Sequence, residues 1–213
     1  MHPYLLELAS LMAIFSFGII SPGADLAMVM RQSLLHGRRE ALITSFGIGT
    51  SLMFHVTYTI LGLGLIISQS IYLFNLVKWC GVAYLFYIGY KALRAKKADL
   101  TVQPKEQVGE KVQQSAAKSF LLGFAANALN PKPVFFFLSI FSTVVSVETP
   151  IAVKFCYGLV MATALIAWFV GVSLFMTTPV MRARFTRVSH WIDRVSGVVF
   201  IGLGLKLATE RAA

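Results

Sequence analysis

The side chains with the most chemistry to offer lie inside apolar stretches. Asp25, His55 and Lys132 sit deep within them, and Arg31 lies nearer an edge. Ionisable groups in such surroundings are costly, so they are read first as functional. Two of them adjoin tracts that interrupt the apolar pattern, Ser21-Pro22-Gly23 and Asn130-Pro131-Lys132-Pro133. Ser and Asn are good N-caps and Pro suits the first helical position, so helices are expected to start at Pro22 and Pro131. A helix N-terminus offers unpaired N–H groups and a positive dipole end, which suits a carboxylate. Pro22, Gly23, Asn130 and Pro131 are therefore candidate binding positions. Gly23 carries no side chain to keep a ligand from the backbone.

The charged candidates each have two readings. Asp25, one turn into its helix, suits a substrate ammonium or a proton, or it simply complements the helix dipole. Lys132 suits a carboxylate, or it pairs with Asp25. Asn127 and Asn130 can bond a ligand or freed backbone groups, and capping alone accounts for Asn130. His55 is a candidate for proton coupling, with a hydrogen-bonded core histidine as the alternative.

The elements that position these groups must be membrane helices. Of 213 residues, 57% are hydrophobic and 13% charged, with a mean hydropathy of +0.73. Soluble domains carry about 25% charged residues. Spanning a bilayer takes about 20 apolar residues, and six segments qualify: 4–35, 41–67, 71–90, 119–147, 151–176 and 191–208. The first and fourth are interrupted. In lipid, a helix satisfies its own backbone within one segment. Residues 1–22 lack a basic n-region and a small-x-small site, so they read as a retained first helix.

A net charge of +10 would suit nucleic acid, but its distribution rejects that partner. Arg31, Arg38 and Arg39 lie between spans 1 and 2. Lys91, Arg94, Lys96, Lys97, Lys105, Lys111 and Lys118 lie between spans 3 and 4, and Arg182, Arg184, Arg187 and Arg194 between spans 5 and 6. The alternate face has only Lys78, Lys154, Lys206 and Arg211. The positive-inside rule then puts both termini outside. Tyr72 and Trp79 would mark the outer interface and Trp191 the inner. Cys80 and Cys156 lie in separate apolar stretches without CxxC spacing, so neither a disulfide framework nor a metal site is expected.

Each half of the chain holds three spans. Gly81 and Ile88-Gly89-Tyr90-Lys91-Ala92 in span 3 resemble Gly197 and Leu203-Gly204-Leu205-Lys206-Leu207 in span 6. An odd number of spans per half makes the second repeat enter from the opposite side, as in inverted-repeat secondary transporters. The expected architecture is all-α: residues 1–94 form one three-helix repeat, 95–117 a polar cytoplasmic linker and 118–213 the second repeat, together one transporter domain. Helices 1 and 4 are each broken by a proline tract near mid-membrane. Gly47/Gly49, Gly62/Gly64 and Gly202/Gly204 are expected to permit close helix packing. Phe135-Phe136-Phe137 reads as lipid-facing or packing surface.

The pattern resembles the lysine-exporter (LysE/RhtB) family of amino-acid efflux proteins. The resemblance rests on Gly18, Ser21 to Asp25, Gly37 to Ala41, Gly47-x-Gly49, Tyr84 to Leu93 and Asn127-x-x-Asn130-Pro131-Lys132, over nearly the whole chain. Met181-Arg182, Trp191-Ile192-Asp193 and Gly197 to Gly204 look most like the homoserine/threonine exporters. The resemblance implies a bacterial inner-membrane exporter, not an enzyme, driven by proton antiport. One departure is Ala24, where the family usually has a second proline; it should loosen the first break but leave a Ser-Pro cap intact. The implied partners are a small neutral amino acid, with threonine or homoserine as first guess, protons and the bilayer. A homo-oligomer is a further option, and no cofactor is implied. Two other readings stay open: another cargo, such as a lysine-type cation or toxic analogue, and an intramembrane thiol oxidoreductase. Lysine would want a second buried acid beyond Asp25, and the oxidoreductase would want cysteines at the breaks.

Overall fold

The computed structural model describes residues 3–96, 114–175 and 179–209. Most of the 95–117 linker lies outside them, with Lys97, Lys105 and Lys111, as does Arg211. The described residues form eight helices and no strand: α1 (Pro3–Ile20), α2 (Ala24–Leu35), α3 (Arg38–Gln69), α4 (Ile71–Leu93), α5 (Ala116–Ala128), α6 (Pro131–Val144), α7 (Ile151–Phe175) and α8 (Pro179–Thr209). α1 and α7 are long and apolar enough to cross a bilayer alone. The first long apolar segment is thus two helices, α1 and α2, and the fourth is α5 and α6.

Local chemistry sets the boundaries. α2 stops at Gly37, whose φ of +105° suits a residue without Cβ, and the N–H groups of His36 and Gly37 both bond Gln32 O, at 3.0 and 3.1 Å. Ser70 caps α4, accepting from Leu73 N. α8 departs from expectation. It begins at Pro179, twelve residues before Trp191, so the basic stretch is helical rather than a loop. Pro179 opens the helix and no Gly or Pro follows until Gly197, so nothing interrupts it.

The bundle has two distinct ends. At one, Gln114 Nε2 donates to Gln32 Oε1 (3.2 Å), Thr44 Oγ1 to Ser119 O (3.0 Å) and Ser33 Oγ to Ser173 O (3.5 Å). This end gathers the α2–α3 turn, the start of α5 and the last turn of α7, and most of the basic residues with them. At the other, Glu7 accepts from Ser146 N (3.1 Å), Thr149 Oγ1 (2.9 Å) and Tyr157 OH (3.0 Å), and Lys206 Nζ donates to Thr143 O.

Packing follows membrane logic. Ser45, Ser119, Ser139, Ser173 and Ser196 are fully buried, whereas Tyr72, Leu76, Trp79, Leu159, Val198 and Leu205 lie exposed on the outer surface. Small residues inside let backbones approach, and large apolar ones face outward. A methyl group on Gly47 would lie 2.2 Å from Phe120 O, and one on Gly123 would lie 2.1 Å from Thr44 O, so α3 and α5 touch backbone to backbone. One on Gly49 would lie as close to Ile166, at 2.3 Å, and one on Gly204 would make an ordinary contact with Leu85 at 3.4 Å. Gly62 and Gly202 correct the expectation: among the described residues nothing lies within 4 Å of a methyl group placed on either. The surroundings of Gly64 lie outside what is described.

Candidate functional site

The gaps between α1 and α2 and between α5 and α6 face each other across the bundle. The second gap forms as its residues dictate. Asn130 is the N-cap, its side chain accepts from Lys132 N at 3.0 Å, and Pro131 takes the first helical position. The first gap does not. Gly23 is the N-cap of α2, extended and without a side-chain cap, so Pro22 precedes the helix rather than opening it. Ser21 makes no cap either; its hydroxyl donates to Asp193 Oδ1 on α8 at 2.8 Å. An ionised carboxylate makes the stronger, charge-assisted hydrogen bond, and it lies 172 residues away in sequence.

Carbonyls in the last turn before each interruption also accept from side-chain donors, Phe17 O and Asn127 O in addition to their backbone bonds from Ser21 N and Asn130 N. Lys132 Nζ donates to Gly18 O (3.2 Å) and Ser196 Oγ to Phe17 O (3.0 Å), both in the last turn of α1. His55 Nε2 lies 3.2 Å from Asn127 O in the last turn of α5. A carbonyl can only accept, so this nitrogen carries the proton, and Nδ1 faces Tyr58 OH at 2.8 Å. Cations and N–H donors complement the negative end of a helix dipole.

A cavity of about 50 Å³, room for a few waters, lies between the two gaps. Of the candidates, Gly23, Asp25, Asn127, Asn130 and Lys132 line it; Pro22 and Pro131 do not. His55, fully buried, stands one residue behind the wall and reaches it through Asn127. Asn127 Nδ2 donates to Asp25 Oδ2 at 2.8 Å. Asp25 Oδ1 and Asn127 Oδ1 are buried with no hydrogen-bond partner among the described residues. Such unpaired acceptors are costly, and both suit an ammonium. Lys132 forms no ion pair with Asp25 within 4.0 Å, against the structural pairing considered from sequence. Its head sits over the Phe200 ring at 5.5 Å, within electrostatic reach of both Asp25 and Asp193. A methyl group on Gly23 would lie 3.8 Å from Lys132 Nζ, so the bare α2 N-terminus and the ammonium border one space.

Three features went unread in the sequence. Phe136 and Phe137 are buried and form an apolar wall of the cavity rather than a lipid-facing surface. Phe137 also stacks on His55, with 4° between the rings. Asp193 supplies a second acid beside the site. Its signal was its place, with Ser196 and Phe200, on one face of a helix at i, i+3 and i+7. Cys80 on α4 and Cys156 on α7 are exposed free thiols, and neither lines the cavity.

All-helical packing with many large apolar side chains facing outward, around a small, mostly apolar cavity with a few polar groups between interrupted helices, is the build of a membrane transport protein. Residues 16–211 match the family described as LysE type translocator, and the chain belongs to that family. It is 31% identical over 194 residues to the threonine efflux protein of Escherichia coli (strain K12), covering 91% of this chain and 93% of that one. The homoserine/homoserine lactone efflux protein of Salmonella typhimurium is 27% identical over 204 residues, covering 91% and 92%. An uncharacterized membrane protein of Bacillus subtilis, YrhP, is 28% identical over 193 residues, covering 88% and 91%. No solved structure matches the chain.

Proposed function

We propose that this protein is an inner-membrane secondary transporter that exports a small neutral amino acid, threonine or homoserine first, in exchange for protons. One observation carries the reading: a single cavity offers partners for both ends of a zwitterion. Asp25 Oδ1 and Asn127 Oδ1 take the ammonium. Lys132 and the uncapped N-terminus of α2 take the carboxylate. The family and the efflux proteins it resembles support the direction and the class of cargo. Asp25 takes up the proton as substrate leaves, and His55 acts on it through Asn127.

The architecture of this reading is six crossings in two inverted repeats, 1–94 and 118–213 joined by the linker, with both termini outside. α1 with α2, and α5 with α6, each make one interrupted crossing. Contacts between α4 and α8 support the repeat. A methyl group on Gly81 would lie 3.3 Å from Leu207, and one on its counterpart Gly197 would lie 3.0 Å from Leu93; one on Gly89 would lie 2.7 Å from Ile201, and one on its counterpart Gly204 would lie 3.4 Å from Leu85. Each of these glycines borders the partner helix, as two repeats related by a two-fold axis would have it. The basic end of the bundle is cytoplasmic in this reading.

A cationic cargo is the second reading, and Asp193 favours it as the second acid that lysine requires. Asp193 is held behind Ser21 and does not line the cavity, which favours the neutral cargo. A growth-inhibition panel over single amino acids, with and without expression, separates the two. Protection against threonine or homoserine is expected, and protection against lysine alone contradicts the proposal.

A further inference from the structure

The polar groups assigned so far account for the ammonium and carboxylate that every amino acid shares, and leave the substrate side chain unrecognised. Besides Asn130, which caps α6, one polar side chain on the cavity wall is unassigned: that of Ser21. A serine hydroxyl has one proton to donate and two lone pairs to accept. At Ser21 the proton is committed to Asp193 Oδ1 at 2.8 Å, and among the described residues no donor reaches the oxygen. Ser21 is buried, so water does not freely satisfy those lone pairs. Asp193 therefore turns an ambivalent hydroxyl into an acceptor only. The dyad is braced on both sides, since Ser196, one turn along α8 from Asp193, bonds Phe17 O at the end of α1. Lys132 lies close by: a methyl group on Gly23 would be 3.8 Å from both Lys132 Nζ and the Ser21 backbone carbonyl, and Lys132 is within electrostatic reach of Asp193, the partner of the Ser21 hydroxyl. A substrate whose carboxylate sits on Lys132 thus has Ser21 within its own length.

We propose that the Ser21–Asp193 dyad reads the substrate side chain, accepting a hydrogen bond from its hydroxyl and so selecting hydroxy-amino acids over isosteres that cannot donate. Ser21 touches the substrate; Asp193 is a positioning residue that acts through Ser21. The inference rests on the neutral amino-acid reading and specifies its cargo. A site built to bond a substrate hydroxyl discriminates strongly against the analogue lacking it, whereas an apolar pocket does not.

The test is transport by the full-length protein in proteoliposomes, with three probes of similar shape. Threonine donates and accepts at its side chain, O-methylthreonine only accepts, and valine does neither. Wild type should move threonine at least about 100-fold better than valine, and should reject O-methylthreonine as it rejects valine. Ser21→Ala should bring the three probes within a few fold of one another, mainly through loss of threonine. Asp193→Leu should admit O-methylthreonine while still rejecting valine, because a Ser21 hydroxyl freed of Asp193 can donate as well as accept; a merely structural role would not produce that change of ratio. Ser21→Thr, which keeps the hydroxyl, should restore the preference, and it guards against a misfolded Ser21→Ala. The inference is overturned if wild type carries O-methylthreonine as well as threonine, or if both variants keep the preference. Wild type that carries threonine, valine and alanine alike leaves the exporter reading standing and removes the dyad. Wild type that carries no neutral amino acid removes both.

Discussion

Asp25 and Lys132 border one cavity without pairing, and that separation gives them their use. A closed ion pair would have to be broken by every arriving substrate, whereas here each charge keeps a bonding site free and is held by a neutral partner, Asn127 or Gly18 O. The two helix starts beside them differ in a way that stability measurements can read. Asn130 caps α6, so Asn130→Ala should cost about 1 kcal/mol, seen as a lower unfolding midpoint of the purified protein; an unchanged midpoint would deny the cap. At the other start, Ala24 occupies the first helical position after an extended Gly23. That is where proline is tolerated best, because the first N–H has no partner within the helix. Ala24→Pro should therefore stabilise by about 0.4–1 kcal/mol, seen as a higher unfolding midpoint. A fall in the unfolding midpoint would mean that the N–H of Ala24 is engaged.

At the scale of elements, the closest approaches are glycines against backbone. Gly123→Ala drives a methyl group to 2.1 Å from Thr44 O, an atom that cannot move aside without separating α3 from α5. Gly62→Ala meets nothing within 4 Å and gains helix propensity of roughly 0.5–1 kcal/mol. The first variant should lose most folded protein on size-exclusion chromatography, and the second should keep or raise its unfolding midpoint. The reverse order would contradict the packing. These elements were largely legible in the sequence, because their ends are written locally: the Asn-Pro start of α6, the glycine stop of α2 and the serine before α4. What could not be read is what distant residues decide. Ser21 looked like a cap until Asp193, on the last helix, took its hydroxyl. Gly62 and Gly202 had the spacing of a packing motif but no neighbour. Phe136 and Phe137 read as lipid-facing or packing surface, and burial decides for packing; apolar runs do not themselves reveal which face turns inward. Gly23, Asp25, Asn127, Asn130 and Lys132 stand in two local tracts that the broken-helix pattern puts together near mid-membrane, and the fold brings them to one cavity.

The whole molecule has a basic end and an end organised by Glu7, and the proposed topology turns the basic end to the cytoplasm. With Cys80 and Cys156 replaced, single cysteines at Tyr72 and Lys118 would report the orientation. A membrane-impermeant thiol reagent should label the first in intact cells and the second only after permeabilisation; the opposite pattern would invert the topology. The account as a whole stands on transport through the cavity between the interrupted helices. Its most direct test is efflux of preloaded threonine from proteoliposomes under an inward proton gradient, for wild type and Asp25→Asn. The account predicts gradient-accelerated efflux in wild type, and loss of both the efflux and its acceleration in the variant. Undiminished, proton-coupled efflux by Asp25→Asn would contradict it.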